Sequence, residues 1–113
     1  MNLVVKRSKW LRGAGPNGDS YLLHPTNRRM CCLGFLARAV GYKPCEIKGT
    51  HTPAYVKDPS KFPAAIVSGD DDNTLLCDDM MDTNDSATLN DTQREYKLTR
   101  LFKKADIAIT FVD

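Results

Sequence analysis

The sequence predicts an α+β domain, with a small antiparallel sheet packed against two main helices near residues 31–41 and 91–105 and a C-terminal strand over 106–112. Three patterns predict it. Leu98, Leu101, Phe102 and Ala105 fall at i, i+3, i+4 and i+7, a single apolar stripe on a helix. Met30 to Val40 is apolar throughout apart from Arg38, which suits a helix buried on most of its faces. Ile107, Ile109 and Phe111 alternate with the smaller Ala108, Thr110 and Val112, the period of a strand rich in β-branched and aromatic residues. A chain of 113 residues has room for one modest core, so residues 1–113 read as one domain.

The remaining elements follow in order. Asn2–Val5 is a short apolar run, a strand or the lead into a helical turn through Lys9–Arg12. Gly13–Gly18 holds three glycines and a proline in six residues and reads as a loop. Ser20–Leu23 reads as a strand and His24–Asn27 as a turn. Gly41 is placed to close the first helix in the left-handed conformation. Gly34, inside that helix, costs about 1 kcal/mol relative to Ala; a residue that small would let another backbone approach closely there. Residues 42–63 carry Pro44, Pro53, Pro59 and Pro63 and read as a long connection. Ala64–Ser68 reads as a strand. Leu75, Leu76, Met80 and Met81 suggest a short amphipathic helix, with Asn73 or Thr74 as its cap. Asn90, Asp91 and Thr92 are all competent caps for the last helix, and Thr92-Gln-Arg-Glu95 fits the capping-box pattern. Lys103 and Lys104 suit the negative end of its dipole. The two helix stripes are expected to form the core with Trp10, Leu22, Ile109 and Phe111.

No stretch reaches the roughly 20 apolar residues that span a bilayer. The N-terminal apolar run, Leu3–Val5, is short and precedes its basic residues, unlike a secretory signal. The expectation is a protein of the cytoplasm, the host cell's if phage-encoded, with no membrane partner and with Cys31, Cys32, Cys45 and Cys77 as thiols. No Cys-x-x-Cys occurs, and neither His24 nor His51 has a ligand partner at metal-site spacing, so no metal is expected. No cofactor is expected either. Gly13-Ala-Gly-Pro-Asn-Gly18 has the outline of a dinucleotide fingerprint without the strand before it and the helix after it.

Charge is divided along the chain. Residues 1–61 hold 11 Lys+Arg against 3 Asp+Glu, and residues 62–113 hold 5 against 11. The simplest expectation is that the halves pair with each other in the fold. The same asymmetry is compatible with self-association into a homodimer.

The segments Arg29-Met-Cys-Cys-Leu-Gly-Phe-Leu-Ala-Arg-Ala-Val-Gly41 and Leu89-Asn-Asp-Thr-Gln-Arg-Glu-Tyr-Lys-Leu-Thr-Arg-Leu-Phe102 carry a resemblance. The chain resembles small uncharacterised phage and prophage proteins with a Cys-Cys-Leu-Gly helix opening and a later Leu-Asn-Asp helix cap. The matching parts cover roughly a quarter of the chain. That group has no assigned activity, so no catalytic residue carries over. The resemblance implies an accessory protein that binds and inhibits or redirects host machinery, defence systems such as CRISPR included.

Three residue sets could carry function. The first is the acidic stretch from Asp70 to Asp91, with eight carboxylates and no Lys or Arg. Asp70, Asp71, Asp72, Asp78, Asp79, Asp82 and Asp85 would face a host protein or protein–nucleic acid complex, carboxylates standing in for phosphates toward a basic groove. The second is a cysteine nucleophile for a hydrolase or transferase. Cys31 or Cys32 would stand at a helix N-terminus that favours thiolate, with Arg28 and Arg29 nearby, His24 or His51 as base and Asp58 to orient it. The plainer expectation for these cysteines is small core residues. The third is a nucleic-acid or nucleotide surface made by Lys6, Arg7, Lys9 and Arg12 with Trp10.

Overall fold

The fold is that of a computed structural model, which describes residues 1–13, 20–67 and 76–113. Strand β1 (Asn2–Lys6) pairs with strand β2 (Ala108–Val112). The pair is parallel, in the register Asn2↔Ala108 to Lys6↔Val112, which corrects the antiparallel sheet expected from the sequence. The reason is topological. The two strands come from opposite ends of the chain, and a parallel pair needs a crossover between them; here nearly the whole chain is that crossover. Alternation along β1 buries Leu3 and Val5 and leaves Asn2, Val4 and Lys6 in solvent. On β2 Ile109 is buried on the same side, and Phe111 packs half-buried against the Trp10 ring, 4.9 Å between centroids.

The helices among the described residues are α1 (Cys32–Ala39), α2 (Pro44–Ile47), α3 (Ala64–Val67), α4 (Leu76–Asp85) and α5 (Asp91–Lys104). Short 3-10 turns cover Arg7–Lys9, Pro53–Tyr55 and Pro59–Lys61. Two expected strands are absent. Ser20–Leu23 forms only an isolated bridge between Leu23 and Lys48. Residues 64–67 are a helical turn, with the Ile66 amide on the Pro63 carbonyl; a short apolar run has no period to separate the two states, and proline presets the entry to a helix. Ser68, Asn73, Thr74 and Leu75 lie outside the described residues, as does most of the expected Gly13–Gly18 loop.

Helix α1 is the centre of the core: every residue from Cys31 to Ala37 is buried. Gly34 explains its own cost, since a Cβ there would collide with the Leu22 carbonyl. Gly41, at φ +106, closes the helix as expected. Helix α5 presents Leu98 and Phe102 to this core. Its capping box uses Asn90 and Gln93, not Thr92 and Glu95. The Gln93 amide donates to Asn90 Oδ1 at 2.8 Å and the Asn90 amide to Gln93 Oε1 at 3.0 Å. Glu95 is left free to bind Arg7 in a two-pronged ion pair, 2.8 and 2.9 Å.

Candidate functional site: the face of α4 and α5

The cysteine pair lies in the interior. Cys31 and Cys32 are 1% and 0% exposed, and no histidine hydrogen-bonds either sulfur among the described residues. Burial pushes the Cys31 thiol up to about 12 and the Cys32 thiol well above the ordinary range. The helix N-terminus does not offset this, because taking a thiolate out of water outweighs the partial charge of the dipole. His24 and His51 do come together, both against the Tyr21 ring. The His51 ring stacks on Tyr21 at 4.3 Å, and His24 meets it edge-on at 5.1 Å. His51 Nδ1 donates to the Ser20 carbonyl at 2.8 Å, and His24 Nδ1 accepts from the Thr26 amide at 3.2 Å. Asp58 is engaged elsewhere. Its side chain accepts from the Ser60 amide at 3.1 Å as the cap of a 3-10 turn, and the Ser60 hydroxyl, with that amide second, holds its carboxyl below the usual range. Thiols, imidazoles and carboxylate therefore do not assemble into a catalytic group.

The basic N-terminal set is dispersed in a different way. Trp10 is 1% exposed, and its indole N–H donates to Asn84 Oδ1 at 2.8 Å, so its ring offers no stacking surface. Arg7 is held by Glu95 and by Asp113 at 2.9 Å. Arg12 is held by Asp91 at 2.9 Å and lies over the Trp10 ring at 4.5 Å. The chain's two charge halves do meet, and these bridges are where they meet. Lys6 and Lys9 remain exposed.

The acidic stretch divides by helical phase. Cys77, Met80 and Asn84 fill the buried side of α4, spaced i, i+3 and i+7. Asp79 and Asp82 consequently stand in solvent, while Asp78 is half-buried. Asp85 turns inward, accepting from Ser20 Oγ at 2.8 Å and from Asn84 Nδ2 at 2.9 Å. Asp70, Asp71 and Asp72 lie outside the described residues.

Between α4 and α5 runs an open groove of about 480 Å³. Asp79, Asp82 and Thr83 line the α4 wall. Tyr96, Lys97, Arg100, Leu101 and Lys104 line the α5 wall. Tyr96 is 64% exposed, the largest aromatic ring surface of α5. Two buried polar residues hold the walls in place, and the sequence reading missed both. Asn84 joins α4 to the Trp10 segment and to α1. Arg94 spans the α4–α5 connection, its guanidinium donating to the Ser86 carbonyl at 3.0 Å and the Leu89 carbonyl at 2.7 Å.

No family model, curated protein or solved structure matches the chain. What the face can do follows from its side chains. It carries carboxylates, cations and an aromatic ring around an apolar floor at Leu101, a set suited to recognition of a charged surface. Among the described residues no group of three His, Cys, Asp or Glu side chains gathers to hold a metal ion. No helix of the described residues is long and apolar enough to cross a membrane.

Proposed function

We propose that this chain is a non-catalytic accessory protein of phage type, which binds a host protein and inhibits or redirects it, host defence machinery included. Its contact surface is the outer side of α4, with Asp79 and Asp82 at the centre and Asp78 at the margin. One observation carries the reading: the candidate nucleophiles Cys31 and Cys32 are sealed inside, while these carboxylates are held outward on a helix anchored through Asn84. Carboxylates fixed on a rigid helix can present phosphate-like charge to a basic groove without the entropy cost of ordering a loop. The resemblance to phage accessory proteins supports the setting.

The test is quantitative capture from lysate of the cognate bacterial host, followed by identification of the bound protein. Asp79→Lys with Asp82→Lys should abolish capture of that protein and leave the thermal melt unchanged, since both side chains are exposed. Asp78→Lys alone should weaken capture less than either exposed substitution, as its half-buried position implies. Undiminished capture by the double variant would remove the α4 surface from the account.

A further inference from the structure

The outer face of α5 carries charge of one sign. Lys97, Arg100, Lys103 and Lys104 stand one, four, seven and eight residues after Tyr96, so all five share a stripe opposite the buried Leu98 and Phe102. The acids of α5 belong to its first turns, where Asp91 and Glu95 are taken by Arg12 and Arg7. Among the described residues none of the four cations has a carboxylate within ion-pair distance. The helix dipole would account for Lys103 and Lys104 in the last turn. It does not account for Lys97 and Arg100, or for an exposed ring beside them. The Arg100 guanidinium lies over Tyr96, 5.8 Å from the ring centroid. Among the described residues, Arg100, Lys103 and Lys104 line a shallow hollow of about 380 Å³. That hollow shares Arg100 and Lys104 with the α4–α5 groove and exchanges the carboxylates of α4 for Lys103.

We propose that this face of α5 binds single-stranded nucleic acid, with backbone phosphates at Arg100, Lys103 and Lys104 and a base stacked on Tyr96. Unpaired cations in a row supply the phosphate attraction, and an exposed ring flanked by a guanidinium supplies a stacking platform. The single strand is favoured over duplex because its base faces are open to Tyr96. The surface differs from the N-terminal basic set, whose arginines and tryptophan are already engaged. It adjoins the α4 carboxylates proposed for protein capture, since Tyr96, Lys97, Arg100 and Lys104 line the groove whose other wall carries Asp79 and Asp82.

The test is fluorescence anisotropy with a labelled oligothymidylate of about twelve nucleotides, titrated across salt. Three phosphate contacts predict a log–log salt slope of about −2, or about twentyfold weaker binding between 50 and 200 mM. R100Q/K103Q/K104Q, neutral and exposed, should keep the thermal melt and lose at least about tenfold in affinity. Tyr96→Ala should lose about tenfold for the oligonucleotide and nothing for inorganic polyphosphate, which has no base to stack. K6Q/K9Q and Asp79→Lys/Asp82→Lys should not weaken binding. Absence of wild-type binding at the lower salt, or equal binding by the triple variant, would overturn the proposal. Equal competition by a polyglutamate peptide of matched charge would also overturn it, assigning the face to acidic protein.

Discussion

Asn84, fully buried near the end of α4, takes the Trp10 indole N–H on its side-chain oxygen at 2.8 Å. The same oxygen accepts the Cys32 amide at 3.0 Å, one of the orphan N–H groups at the start of α1. The Asn84 amide nitrogen donates to the Leu11 carbonyl at 3.0 Å, and its own carbonyl accepts the Gly13 amide at 2.9 Å. One side chain thus ties the N-terminal segment, α1 and α4 together at the back of the face that carries Asp79 and Asp82.

Asn84→Ala should therefore be among the most damaging single changes. It strips partners from two buried donors and an acceptor, each costing about 1–3 kcal/mol when left unmet. The expected loss is about 3 kcal/mol or more, read as a lower urea midpoint at unchanged slope. A loss under about 0.5 kcal/mol, the range of an ordinary surface change, would show that these bonds do not anchor the segment.

Gly34→Ala tests the packing of α1 through a reversal of sign. In an unconstrained helix the change stabilises by about 1 kcal/mol. Here the new methyl meets the Leu22 carbonyl, which is backbone and cannot swing aside. Destabilisation by about 2 kcal/mol is expected from such overpacking, measured by denaturant or thermal melting.

How far the sequence was legible follows from these same residues. The stripe Leu98, Leu101, Phe102 and Ala105 has a helical period, and the structure places Leu98 and Phe102 in the core. Gly41 forecast the cap, and Gly34 marked a place with room for a close approach, which the Leu22 carbonyl fills. The direction of the sheet was not legible, because no local signal says that Asn2–Lys6 pairs with the last strand and not with a neighbour. Asn84 sits in an acidic run that reads as solvated, and its burial is set by partners in Trp10, Leu11 and Cys32, far away in sequence. Arg94 is hidden for the same reason. At the candidate site, the exposure of Asp79 and Asp82 follows from helical phase, whereas the inward turn of Asp85 depends on Ser20. The charge imbalance between halves forecast pairing but not its partners, Arg7 with Glu95 and Arg12 with Asp91.

Alkaline stability should report the buried thiols. Folding raises the Cys31 pKa from an ordinary 9.0 to about 12, so the fold favours the protonated thiol. The contribution is fully present below about pH 9 and is lost as pH rises from there toward 12. Urea unfolding should show falling stability from about pH 9 upward. Cys31→Ala, although less stable at neutral pH, should show a shallower alkaline slope. An unchanged slope would mean that the sulfur is not desolvated.

The acid side is governed in part by Asp91. Its hydrogen bonds from Arg12 hold the carboxyl below its ordinary 3.8, so the stabilisation is present above that value and lost as pH falls through the lowered one. Arg12→Gln should flatten stability between pH 5 and 2. The effect should be small and salt-sensitive, since Asp91 is half exposed. Arg7→Gln, which leaves Glu95 without its two-pronged partner, should lower the urea midpoint slightly at low salt and less at high salt.

The claim on which the functional reading rests is that the Cys31–Cys32 pair is enclosed and recognition is external. Alkylation of the folded protein at neutral pH, followed site by site by mass spectrometry, tests it directly. Cys45, the exposed thiol, should be modified quickly, while Cys31 and Cys32 stay unmodified until denaturant is added. Modification of Cys31 or Cys32 at a rate matching or exceeding that of Cys45 would contradict the account and return the molecule to thiol chemistry.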